Sequence, residues 1–347
     1  MRKTFILVLS AIILLSLLSS TTATAQKTLI SIADAEEDDR GPGYYGYPAN
    51  PVFKPGVFDI VKFEVIDLGE AIRFAVSFKD LGGNPWGGPN GFSLQNIQIY
   101  VRTTQAGLPA RTDTLGLNVA FSSSFAWHFA IIIVPGWEEK MAPEGQRSGI
   151  LLYGSSIVQD GVLTISVSGN TIMASVNKKA LVDVENIASW TITVMVASYD
   201  GFGPNRVRTV GPTGGEWVLN GTKYATPEQR ARIAKAIAAG MEPRVLDLTV
   251  YSPEFKAGID AATQYKWLDS YNPDLKLPAM VPPIVVAPQV VTTTVFKTET
   301  KTETKTELRT QELTVTTEVP TVSWPISIVL LIVGLIVGVI VARFLIK

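Results

Sequence analysis

The stretch Ala71-Ile-Arg-Phe-Ala-Val-Ser-Phe-Lys79, followed by Asp80-Leu-Gly-Gly-Asn-Pro-Trp-Gly-Gly-Pro-Asn-Gly91 and by Ser93 to Arg102, decides the fold class. Ile72, Phe74, Val76 and Phe78 alternate on one face of the first segment, and Ile97, Ile99 and Val101 on one face of the last. That period of two predicts half-buried strands. The loop between them is fixed by five glycines and two prolines, and it carries Trp86. Glycine opens positive φ and proline locks its own φ, so the indole is either a displayed group or a plug.

Working outward, the same alternation predicts strands at Leu29 to Ile32, Val61 to Val65, Thr114 to Phe121, Trp127 to Val134, Gly161 to Ser168, Thr171 to Asn177, Trp190 to Ser198 and Val245 to Tyr251. Asp67-Leu-Gly-Glu70 reads as a hairpin turn and Ser168-Gly-Asn-Thr171 as a tight one. Phe129, Ile131 and Ile133 have apolar neighbours on both sides, which predicts a central strand covered on both faces. One helix is expected at Pro227 to Ala239, with Thr226 as N-cap, Gln229 completing a capping box and Gly240 as its stop. Many short strands and one late helix predict an all-β fold, a two-sheet antiparallel β-sandwich with one peripheral helix.

The ends read differently. Met1 to Ala25 has the charged start, apolar core and Ala23-Thr-Ala25 site of a secretory signal peptide, placing the mature start at Gln26. Residues 284–323 are first proline-rich and then a Lys-Thr-Glu-Thr tract, expected to form an extended stalk, with strand pairing as the alternative. Residues 324–347 contain the uncharged run Ile326 to Ala342, about 26 Å long as a helix and long enough to span hydrocarbon. Arg343 and Lys347 then predict a single C-terminal transmembrane helix with the 26–283 domain outside the cell. Gly334 and Gly338 within it offer a helix-packing motif or ordinary membrane glycines.

Composition narrows the function. Among 347 residues the formal net charge is -1, which argues against a nucleic-acid partner. With no cysteine and one histidine, neither disulfides nor an ordinary zinc site is expected, and His128, inside an apolar run, reads as a core or edge residue. No pair of carboxylates is identifiable as a glycosidase pair, and no nucleophile elbow or phosphate loop occurs, so an enzyme is not expected.

Two candidate sites remain. The acidic run Asp34-Ala-Glu-Glu-Asp-Asp39 enters a glycine and proline turn, and Asp59 starts a strand within possible reach. Carboxylates on bent backbone suit calcium, and a solvated acidic loop is the plain alternative. Sugar binding commonly pairs an aromatic platform with fixed polar groups. Trp86, Tyr44, Tyr45 and Trp137 lie near loops and Asp200 in a turn, as a sugar site would need, though each also has a packing or capping reading. Trp127 and Trp190 are expected in the core, and Arg206 and Arg208 as charges on a sheet edge. Asn220-Gly-Thr222 is an N-glycosylation sequon.

Several long motifs carry a family resemblance: Asp38-Asp-Arg-Gly-Pro-Gly43 with Tyr47-Pro48, Asn50-Pro-Val-Phe-Lys-Pro-Gly-Val-Phe-Asp59, Phe78 to Trp86 with Gly88 to Phe92, Pro135-Gly-Trp137, Ala197 to Pro204, and Leu268 to Pro273. Over most of Thr28 to Pro283 the chain resembles the C-terminal module of glucodextranase, which also occurs at the ends of archaeal pullulanases and in stand-alone archaeal surface proteins. The resemblance implies a sugar-binding type of sandwich, jelly-roll or DOMON-like and similar to family 9 carbohydrate-binding folds, serving binding or cell-surface attachment without its own catalysis. It strengthens calcium at Asp38, Asp39 and Asp59, whereas Arg40 departs from what such a site would favour. The expected partner is therefore a glycan or cell-envelope polymer. The alternative is an envelope-architecture protein that docks a surface-layer or enzyme partner through protein contacts.

Overall fold

In the computed structural model, residues 26–137, 147–152, 158–159 and 162–282 are described. The signal peptide, the stalk and the membrane helix expected from the sequence lie outside them. Two antiparallel sheets form the body. The first contains β1 (Lys27–Ala33), β2 (Ile60–Asp67) and β3 (Ala71–Phe78), with β9 (Leu163–Ser168) and β10 (Thr171–Asn177), in the order β1-β2-β3-β10-β9. The second contains β4 (Gln95–Arg102), β6 (Phe129–Ile133), β7 (Gly149–Leu152), β8 (Val158–Gln159), β11 (Thr191–Ser198) and β14 (Asp247–Tyr251), in the order β14-β11-β4-β6-β7-β8. Short strands β12 (Val210–Gly211) and β13 (Leu219–Asn220) pair in parallel, as do β5 (Val119–Phe121) and β15 (Ala279–Val281).

The alternation read from the sequence decides which face packs where. Phe63, Val65, Phe74 and Val76 of the first sheet meet Ile97, Ile99, Phe129, Ile131, Ile192 and Val194 of the second in one buried core. The opposite face of the second sheet, through Tyr100, Ala130, Ile132 and Met195, is covered by a second buried cluster that includes Trp127, Trp267, Ala279 and Val281. The central strand β6 is therefore buried along its whole length, as its uninterrupted apolar sequence requires. The hairpin at Asp67 to Glu70 joins β2 to β3, and Ser168 pairs with Thr171 across the tight turn.

Helix α1 (Pro227–Ala238) carries the reciprocal capping box of Thr226 and Gln229 and buries Ile233 and Ala236. Two expectations need correction. There is a second α-helix, α2 (Ala261–Leu268), capped by Asp260 and burying Gln264, Trp267 and Leu268. Its eight residues are too few for an apolar period to stand out in the sequence. The strand expected from Thr114 is confined to Val119–Phe121, because Gly116 and Asn118 take positive φ and the hydroxyl of Thr114 accepts from the Val119 amide in a turn. His128 is buried, and its Nδ1 accepts from the Thr103 amide at 3.2 Å. Burial and the nearby Arg102 push its pKa below the ordinary histidine value.

A candidate aromatic binding cleft and a buried carboxylate cluster

Asn84 is the residue that organises the loop leaving β3. Its side-chain oxygen accepts from the Gly88 amide at 2.7 Å and from the Ser93 hydroxyl, and its amide donates to the Gly88 carbonyl at 2.9 Å. The loop closes so tightly that a Cβ on Gly88 would sit 2.0 Å from the Phe92 carbonyl oxygen. Clamped this way, the loop holds Trp86 outward, 6.1 Å from Trp217 between ring centres. Trp217 comes from the loop before β13, which is tied to Ala49 and Asn50 by backbone hydrogen bonds of 2.9 and 3.1 Å.

The turn after β11 completes the cleft. Asp200 accepts from the Phe202 amide at 3.0 Å, and Phe202 projects fully into solvent. Trp137 packs at 5.7 Å against Tyr199. These residues, with Arg206 and Arg208, line a cleft of about 770 Å³. Trp86, Trp137 and Trp217 each remain 40, 41 and 42 % exposed, so they are displayed and not core plugs.

Arg208 holds the floor. It is buried, donating to the carbonyls of Trp217 at 2.8 Å and Tyr199 at 2.9 Å and to the Ser198 hydroxyl at 3.0 Å, and it pairs with Asp200 at 3.4 Å. Its guanidinium lies 4.9 Å from the Phe53 ring centre. The expectation of an edge charge is thus corrected for Arg208: it lies beyond the end of β11, is buried, and is a fork binding the loops together.

Of the residues singled out from sequence, Trp86, Trp137 and Asp200 share this cleft. Tyr44 and Tyr45 do not, because both are in the core. The Tyr44 hydroxyl meets Tyr271 at 2.7 Å and donates to Asp269 at 2.9 Å, while Tyr45 donates to the Pro243 carbonyl at 2.8 Å. Burial first, and then neighbouring tyrosine and acidic charges, push both phenols well above their usual pKa. Asn220 sits in β13 against Gly46, with its side-chain oxygen accepting from the Thr222 amide at 3.0 Å. Trp217 and Phe202 were missed as site residues. Their signal was available, since each is an aromatic on a glycine-bearing loop like Trp86.

The acidic run folds into a different place. Asp38, Asp39 and Asp59 are buried, as is Asp247 at the start of β14, and Asp34 is half-buried at the end of β1. Asp59 does reach the acidic loop, its Oδ2 accepting from the Glu37 amide at 2.9 Å. Asp39 accepts from the Tyr47 hydroxyl, and Asp247 Oδ2 from the Ile60 amide at 2.6 Å. Burial and then the charges of the other carboxylates push Asp34 up to about 8 and Asp38 and Asp39 up to about 7. Asp247 is raised well above the usual range by the same causes, and Asp59 is raised chiefly by burial.

No curated protein matches the chain. A family model does, over residues 29–283, and its description is the C-terminal binding module, SLH-like, of glucodextranase. The match spans both sheets, the aromatic cleft and the carboxylate cluster, and it is a family of binding modules. The chain belongs to the family of the SLH-like C-terminal binding module of glucodextranase.

Proposed function

We propose that this protein binds a carbohydrate polymer, of α-glucan or cell-envelope type, in the aromatic cleft and holds it without chemical conversion. One observation carries the reading. Trp86, Trp137, Trp217 and Phe202 converge from four loops on one cleft that also holds Asp200 and Arg206. The apolar faces of sugar rings lie on such surfaces, while their hydroxyl groups take hydrogen bonds from fixed polar side chains. A volume of about 770 Å³ suits a few sugar units of a longer chain. Among the described residues lining the cleft, Asp200 is the one carboxylate, and hydrolysis by the usual route uses two. The binding-module family supports the same reading. The apolar run at Ile326 to Ala342 and the leader-like Met1 to Ala25 support an extracellular module held at the membrane by its C-terminus.

The test is retention of the full-length chain on insoluble α-glucans and on isolated envelope polysaccharide, together with a glycan array. Retention that is lost in Trp86→Ala with an unchanged melting curve supports the cleft. Failure to bind any of these glycans, with binding to deglycosylated envelope protein intact, overturns the reading in favour of protein docking.

A further inference from the structure

We infer that Asp34, Asp38 and Asp247, with Asp59 beside them, bind one calcium-like divalent cation that fastens the edge of one sheet to the edge of the other. One carboxylate oxygen from each of Asp34, Asp38 and Asp247 lies within 4.8 Å of the others. Oxygens held at about 2.4 Å from a common calcium ion stand no more than about 4.8 Å apart, so the three fit around a single ion.

The second observation is independent of the clustering. Oδ1 of Asp38, of Asp59 and of the wholly buried Asp247 has no hydrogen-bond partner. An unpartnered buried carboxylate oxygen is costly, and nearly all are satisfied in folded proteins. Here several face one another. The cations of this neighbourhood are engaged elsewhere: the Arg40 guanidinium lies 5.0 Å from the Tyr224 ring centre, and Lys79 pairs with Glu36 at 3.2 Å and Glu37 at 3.0 Å. Arg40, the departure noted in the sequence, is thus stacked on an aromatic ring.

The donors select the ion. Every available atom is oxygen, including the buried hydroxyl of Thr249 beside Asp34, which excludes a preference for soft metals. Ligands drawn from the end of β1, the following loop and β14 give an irregular shell, which calcium accepts and magnesium resists. Asp39 and Asp59 also line an open cleft of about 670 Å³, which supplies a path from solvent. The site differs from the sequence expectation of Asp38, Asp39 and Asp59 by recruiting Asp34 and Asp247.

Topology gives the ion its role. β1 is the edge strand of the five-stranded sheet and β14 the edge strand of the six-stranded sheet. Asp247 already bonds the Ile60 amide at the start of β2, and Gln264 of α2 links the Leu248 amide to the Asp38 carbonyl at 2.7 and 2.6 Å. A cation completes this seam by neutralising the carboxylates that otherwise repel across it.

The test uses the full-length chain, passed through calcium and then desalted into metal-free buffer. One calcium per chain is expected by elemental analysis. At free calcium about a hundred-fold above Kd the melting temperature rises by about 5–10 °C over the value in chelator. Asp247→Asn and Asp34→Asn abolish that rise, and Asp247→Asn in chelator melts no lower than the unaltered chain, because a repelling charge has gone. Asp113→Asn, outside the cluster, keeps the rise. Absence of retained divalent ion, with equal melting of the unaltered chain in millimolar calcium, magnesium and chelator, overturns the proposal whatever the variants do.

Discussion

Arg208 donates a 2.8 Å hydrogen bond to the Trp217 carbonyl while its guanidinium lies 5.8 Å from the centre of that residue's indole ring. The same guanidinium reaches the Tyr199 carbonyl and the Ser198 hydroxyl. Arg208→Ala leaves these buried acceptors unpaired and is expected to cost about 2–4 kcal/mol in denaturant unfolding. Arg208→Lys recovers only part of this, since an ammonium cannot reproduce the planar fork. Equal stability of the lysine variant and the unaltered chain would contradict the role assigned to the fork.

The displayed rings make the opposite prediction. Trp86→Ala and Trp217→Ala weaken glycan retention about tenfold or more, from loss of a stacking surface worth about 1.5 kcal/mol. Phe202→Ala, whose ring touches solvent on all sides, changes the melting temperature by no more than about 1 °C. Affinity chromatography beside calorimetry separates the two readouts.

Asn84 links the two kinds of residue. Asn84→Ala releases the Gly88 amide and the Ser93 hydroxyl, costs about 1–3 kcal/mol and weakens retention although Trp86 is unchanged. Gly88→Ala gives the same phenotype through collision with the Phe92 carbonyl. Unchanged retention in both would show that the loop needs no clamp.

Asp183 carries the pH prediction. Burial pulls its carboxyl upward, but hydrogen bonds from Thr104, Asn186 and Trp190 outweigh this and hold it below the usual value. The Thr104 amide and hydroxyl stand at 2.8 and 2.6 Å, and the Asn186 amide at 2.6 Å. A depressed carboxyl contributes stability fully above about pH 4 and loses it as pH falls through the folded value. Asp183→Asn is therefore expected to cost about 1 kcal/mol at pH 7 and progressively less below pH 4, measured as the difference between the two unfolding curves. A difference that stays constant to the most acid pH at which both fold would remove the charge from the account. Asparagine tolerates the left-handed backbone of position 183, so the comparison removes the charge and one acceptor oxygen without straining the chain.

The sequence made the strands legible where alternation was strong. β3 and β4 carry bulky apolar residues every second position, β10 carries Ile172, Ala174 and Val176 on one face, β6 is an unbroken apolar run, and the turn at Ser168 to Thr171 names itself by glycine and asparagine. The capping box of α1 was equally plain. Pairs distant along the chain were not legible. Trp86 and Trp217 meet only because two loops 131 positions apart converge, and no local pattern records that. Asp247 was hidden inside Val245-Leu-Asp-Leu-Thr-Val250, where the apolar run marked a strand and masked the carboxylate within it. The one clue was polarity at 247 and 249, the period of two that turns both side chains the same way. Tyr44 and Tyr45 misled for the converse reason: glycines around them suggest display, yet their hydroxyls find buried partners more than 190 residues away.

Strand β15 lies three residues in register beside β5, with Ala279 and Val281 sunk in the outer core. Any tension drawn through the chain from its C-terminal side arrives first at this strand. Such a load is resisted there by the pairing with β5 and by the burial of Ala279 and Val281 against the six-stranded sheet, away from the loop that carries Trp86. Pulled from behind, the module has its brace at one seam and its grip at another.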